Sequence, residues 1–161
     1  MTTPFDTSTP TSDLSAALPS HVGPLLAHVH GLTRAAARAL GMDADAAEQA
    51  ARDGGLVLDG EAVLLSPVAL ASAEESKLVV SVTLGLRLGE MPPAALIALL
   101  AQAPGLLAVH GMAIGSDPDG MLALHRVVDA ETASSESLVQ DMLTARQLAL
   151  LLQDAATPKE Q

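Results

Sequence analysis

The chain has 161 residues, 49% of them apolar, which suffices for one ordinary domain with its own core. Its 19 acidic and 8 basic residues leave a formal net charge of −11, a field that repels phosphate backbones, and Phe5 is its only aromatic residue, so no rings are available for base stacking. Nucleic-acid binding is thereby excluded, and the absence of cysteine removes disulfides, thiolate metal sites and cysteine nucleophiles.

Residues 1 to about 20 are rich in Thr, Ser and Pro and read as a disordered tail, with neither the basic residues nor the apolar run of a signal peptide. Val22, Leu25, Leu26, Val29 and Leu32 recur at spacings of three and four, which predicts a helix from Val22 to Leu40 that stops at Gly41. Asp43 to Arg52 is polar and alanine-rich, and reads either as a short second helix or as an extension of the first. Asp59-Gly60 between Leu56–Leu58 and Ala62–Leu65 predicts a tight hairpin, whose second strand Pro67 should end. From Lys77 to Leu88, Leu78, Val80, Val82, Leu84, Leu86 and Leu88 alternate with mostly polar residues, the pattern of a strand with one face on a core.

Pro92-Pro93 opens a further helix through Leu96, Ile97, Leu99 and Leu100, which Pro104-Gly105 should close. Together with His110 and Gly111, those breakers argue against a membrane span in the uncharged stretch from Met91 to Ser116. Leu107–Ile114 and Met121–Val128 then form a second hairpin across Asp117–Gly120, and a last helix runs from Ser137 to Asp154 on a stripe of Leu138, Val139, Met142, Leu143, Leu150 and Leu152. The expected fold is α+β, in the order α-β-β-β-α-β-β-α: an antiparallel sheet of about five strands with three helices on one face. One domain is expected over residues 21–155, between tails at 1–20 and 156–161.

Candidates for chemistry are few. His28 and His30 are two apart on a helix and face different ways, without a third ligand nearby. His110 and His125 are positioned to face each other across the second hairpin, an arrangement that reads as packing. Asp117-x-Asp119-Gly120 opens like a calcium loop, but its twelfth position is Val128 where a glutamate is needed. Ser134, Ser135 and Ser137 read as caps of the last helix. With no nucleophile elbow, phosphate loop or dinucleotide fingerprint, the reading is of a non-catalytic protein without metal or cofactor.

The strand–Asp-Gly–strand start (LVLDGEAVLL), the alternating strand ending in LRLGEMPP, the stretch LLAQAPGLLAVHGMAIGSDPDGMLALHRVV and the closing helix SLVQDMLTARQLALLLQD resemble the class I (Tir-chaperone-like) type III secretion chaperones of Gram-negative bacteria, including their broad-specificity members. One departure is Ala103-Pro104-Gly105-Leu106, which stands where many members keep an Asn and an aromatic residue. The resemblance implies a cytoplasmic homodimer, paired through the second helix of the fold and the neighbouring fourth strand. That dimer would hold the N-terminal region of a secreted virulence effector soluble and export-competent, with the export apparatus or its ATPase as a further partner. Carried onto this chain, the dimer seam is Leu96, Leu100, Leu107, Val109 and Met112. The effector grooves are Val22, Leu25 and Val29 with outward strand residues Val63 and Leu65. The alternative is a roadblock-type regulatory scaffold that binds a GTPase.

Overall fold

The computed structural model describes residues 22–69, 76–117 and 119–156, and the side chains of Val22 and Ala69 are not among what it describes. The N-terminal tail, residues 157–161 and Pro118 of the second hairpin turn lie outside these residues. Helix α1 (Val22–Ala39) buries Val29, Ala36 and Ala37, and Gly41 turns the chain out of it with φ +89°. Asp43 then starts a new helix: its Oδ1 accepts the Ala46 amide at 2.8 Å. So residues Ala44–Asp53 form a separate α2, whose inward side is Ala47, Ala50 and Ala51. These small side chains let α2 lie close against α1. The Arg34–Glu48 ion pair that joins the two helices at 2.7 Å is solvent-exposed and adds little.

Strands β1 (Gly55–Leu58), β2 (Glu61–Ala69), β3 (Ser76–Arg87), β4 (Met112–Ser116) and β5 (Met121–Asp129) form one antiparallel sheet in the order β1-β2-β3-β5-β4. Asp59 and Gly60, both at positive φ (+48° and +95°), make the tight turn between β1 and β2 as expected. The register aligns Leu56, Val63, Val82, Leu124 and Ile114 in one row facing the helices, with Leu65, Val80 and Met112 in the next.

Two strand expectations need correction. Pro67 does not end β2, which runs on to Ala69. The odd-numbered residues of β2 turn their amides toward β1, as the Leu65 amide bonded to Gly54 O shows, and β1 has ended before it reaches Pro67. The missing N–H therefore falls on an unpaired edge, where proline is tolerated. The alternation of β3 breaks before Leu88. Gly85 (φ +63°) makes a bulge, the carbonyl of Leu84 accepts Gln153 Nε2 at 2.6 Å, and the pairing with β5 shifts between Thr83 and Arg87. Leu88 is exposed in a short turn of helix at Leu88–Glu90.

The helix opened by Pro93 also departs from expectation. Helix α3 (Pro93–Gly105) contains Pro104 and passes directly into a wide, π-helical turn at Leu106–His110. Proline lacks an amide and its ring crowds the carbonyl four residues back, that of Leu100, so the regular helical bonding is interrupted there and the widened turn follows. Leu107–His110 are thus helical, and β4 begins only at Met112, after Gly111 (φ +63°). The breakers do not interrupt the helix: Pro93–His110 is long and apolar enough to cross a membrane, by length and composition alone.

Helix α4 (Ser135–Ala156) starts earlier than expected and takes in Ala156. Ser134 and Ser137 cap it reciprocally, each side-chain oxygen accepting the other residue's amide. Its buried stripe is Leu138, Met142, Ala145, Ala149, Leu152 and Ala156, while Leu150 is exposed. Alanines on α4 let it lie close to β3, and α1 and α3 flank it.

A Cβ at Gly55 would stand 2.7 Å from the Val63 carbonyl and 2.9 Å from Leu64 Cδ2. Gly55→Ala must push β1 away from β2, and the expected loss is about 1–3 kcal/mol. Urea unfolding with an unchanged m-value checks it.

Candidate functional site

Among the described residues, two apolar surfaces remain open. The first is the outer side of α3 and its π-helical turn. Leu99 and Leu106 point into the core, and Ile97, Leu100, Leu107 and Val109 point out, the last two 62% and 74% exposed. Beside them lies a cavity of about 400 Å³ between this helix and the C-terminal half of α4, lined by Gly105, Leu106, Val109, Leu148, Leu151 and Leu152, with Gln102 and His110 as polar lining residues. Arg126 braces the region. Its guanidinium pairs with Asp141 of α4 at 3.0 Å and reaches the His110 carbonyl at 3.4 Å. Burial holds the Asp141 carboxyl above its ordinary range, and Arg126 opposes that shift.

The second surface is the sheet face turned away from the helices. Val57 and Leu64 are exposed at its β1 corner, and Val127 (62% exposed) lies opposite Val79 across the sheet. Between them His125 Nδ1 lies 2.8 Å from Ser81 Oγ, with the ring against Gly115, where a Cβ would come within 2.8 Å of it. His125 therefore faces Ser81 and Ala113, not His110 as expected. The reason is that His110 belongs to the helical turn and lies outside the hairpin. Burial lowers the His125 pKa. His28 also has a structural role, its Nε2 lying 2.8 Å from the Ala130 carbonyl and joining α1 to the β5–α4 loop. Among the described residues no group of three His, Asp or Glu side chains converges as a metal site.

The expected site residues divide between surface and core. Leu100, Leu107 and Val109 share the exposed α3 surface, and Leu96 is half-buried at its margin. Met112 is a correction: it is fully buried on the inner row of the sheet. Val29, Val63 and Leu65 are corrections too, each at most 2% exposed, because the helices cover that face of β2 and that side of α1. Leu25 is half-buried against the core, and the Val22 side chain lies outside the described residues. The apolar side chains that do face outward are the neighbours of the expected ones: Leu26 on α1, and Val57 and Leu64 on the hairpin. Strand alternation reveals that Leu64 and Leu65 oppose one another, but not which one faces the helices.

No protein-family model and no curated protein matches the chain. Solved structures do. A chain of the HopA1–SchA chaperone–effector complex superposes with a TM-score of 0.56 at 20% identity, over 80% of this chain and 95% of that one. A chain of the Yersinia pestis type III secretion chaperone SycH in complex with a stable fragment of YscM2 gives 0.50 at 19% identity, over 77% and 98%. The chain has the fold of the class I type III secretion chaperones. Relative to the expected order of that fold, this chaperone-like domain has α2 as an additional helix against β1, and α3 corresponds to the second helix of the expected order.

The unfolded chain binds a proton at His125 more readily than the folded one does, since the folded pKa lies below the ordinary 6.5. Stability is therefore full above about pH 6.5 and declines as pH falls through the folded value. Melting curves across about pH 8 to 5 should show a smaller acid loss for His125→Gln than for the parent chain. Equal losses would remove His125 as the cause.

Proposed function

We propose that this protein is a cytoplasmic bacterial type III secretion chaperone that works as a homodimer. It binds the N-terminal region of one or more secreted effectors and keeps them soluble and export-competent for delivery to the secretion apparatus. The observation that carries the reading is the pair of open apolar surfaces on one monomer, in a fold whose solved neighbours include a chaperone–effector complex. Two such surfaces suit two tasks, self-association and client capture, and apolar burial drives both.

The dimer seam is the exposed α3 surface: Leu96, Ile97, Leu100, Leu107 and Val109. It carries protruding side chains next to a cavity of matching chemistry, the combination that a two-fold interface uses twice. Met112 lies behind this seam as its core support. The client surface is Leu25 and Leu26 of α1 with Val57 and Leu64 of the hairpin. An extended client segment would pair with the edge of β1 there, its side chains on one face turning toward Val57 and Leu64 and those on the other toward the helix layer that carries Leu25 and Leu26. The net charge of −11 adds a preference for clients with basic segments and discourages self-aggregation of the loaded complex. A roadblock-type scaffold would continue one sheet into another and leave the α3 surface bare, so it accounts for less of the exposed apolar area.

Two variants separate the tasks. Leu100→Asp with Leu107→Asp should shift a dimer to a monomer in light scattering at micromolar concentration, weakening association by about 2–4 kcal/mol. Leu64→Asp should leave the dimer intact and abolish co-purification with effector N-terminal segments. A wild-type chain that scatters as a monomer, or a Leu64→Asp chain that still captures effectors, would overturn the respective assignment.

A further inference from the structure

The segment after Pro104 sits between two kinds of secondary structure. Residues Leu106–His110 form a π-helical turn, a geometry with poorer packing than an α-helix. Pro104 upstream contributes no amide, and Gly111 downstream ends the turn in the left-handed region, its amide bonded to the Leu107 carbonyl at 3.1 Å. Among the described residues, the turn is held at two points only, by the buried Leu106 and by the 3.4 Å bond from Arg126 to the His110 carbonyl, while Leu107, Ala108 and Val109 are all exposed. Val109 is a strand-favouring residue directly before Gly111 and the strand Met112–Ser116.

Beyond β4 the edge of β5 carries no strand among the described residues. Strand β5 pairs with β3 along Ala123–Asp129, but with β4 only from Leu122 to Arg126. Val127, Val128 and Asp129 thus have a strand neighbour on one side only. Continuing the β4–β5 register places Gly111 opposite Val127, His110 opposite Val128 and Val109 opposite Asp129. In that arrangement Val109 falls on the outer face of the sheet next to Val127, so two strongly exposed apolar side chains cover one another. His110 falls on the inner face beside Val128. Gly111 can exchange its left-handed conformation for an extended one without steric penalty, and because an extended residue rises about 3.3 Å against about 1.5 Å in a helix, Leu106 and the C-terminal end of α3 move with the exchange.

We propose that residues 107–111 form a two-state segment: a wide helical turn in one state, and an N-terminal extension of β4 along Val127–Asp129 in the other. The switch alters the apolar surface of α3 by withdrawing Leu107 and Val109 from it, and it lengthens the sheet by the same residues. It follows from the pairing and the exposures alone, and stands whether or not the protein is a chaperone.

Because the chain has no cysteine, an introduced pair reports cleanly. Val109 lines the cavity with Leu148 and Leu151, whereas Asp129 is paired with Lys77 at the start of β3, so the helical state keeps the two apart. Val109→Cys with Asp129→Cys should close a disulfide under mild oxidation, alongside a Val79→Cys/Val127→Cys control whose positions are paired in both states. Adding Pro104→Ala, which strengthens the helix, should slow closure of the first pair and not of the control. Closure of the control alone, or no effect of Pro104→Ala, would overturn the proposal. Hydrogen exchange on the unmodified chain is independent of any variant: the amides of Leu107–Gly111 should exchange about tenfold or more faster than those of Leu96–Leu100 in the same helix. Equal protection of the two segments would overturn it.

Discussion

The constraint on which the rest depends is the contact of α4 with the central strand β3. The described residues contain no aromatic ring, so aliphatic side chains fill the core, and no single large group anchors it. Close approach substitutes for size. Ala145, Ala149 and Ala156 let α4 settle onto Leu78, Val80, Val82 and Leu84, with Leu138, Met142 and Leu152 filling between. Many small contacts at short range give the dispersion energy that a few rings would otherwise supply. Polar ties hold the helix to its neighbours: Asp141 to Arg126 of β5, Arg146 to Asp59 of the hairpin turn, and Gln153 to the Leu84 carbonyl and Glu61. Of these, the Gln153 bond is tied to the Gly85 bulge, which leaves the Leu84 carbonyl turned toward the helix.

From that contact the open surfaces follow. With α4 over β3, α1 lies to one side over β2 and α3 to the other near β4, and one sheet face is covered. The opposite face is left with short or polar residues, apart from Val57, Leu64, Val68, Val79, Met121 and Val127. Helix α3 lies at the margin of the layer, where only Leu99 and Leu106 reach the core. Its other apolar residues have nothing among the described residues to cover them, and that is the physical basis for proposing association at this surface.

The same reasoning accounts for a shared fold at about one residue in five identical. Alternation along β3, positive-φ residues in the first hairpin and small residues on the packing side of α4 can be met by many sequences. Surface identity is free to diverge, so the likeness of fold carries no client with it.

Composition, strand alternation and turn residues determined much of this protein directly. The acidic charge, the Asp59-Gly60 hairpin, the long third strand and the serine cap of α4 are local properties, legible because each depends on neighbours in sequence. Tertiary structure decided the rest. Whether Leu64 or Leu65 faces the helices depends on which side of the sheet they occupy, and β2 alone carries no mark of that. Pro67 is harmless only because β1 is short, and the Leu84 carbonyl that the Gly85 bulge turns out of the ladder is met by Gln153, from a helix 69 residues away in sequence. The widened turn after Pro104 is the clearest case. Strand propensity and breaker residues favoured an early start for β4, while the burial of Leu106 and the bracing of His110 by Arg126 held the chain in a helix up to Gly111.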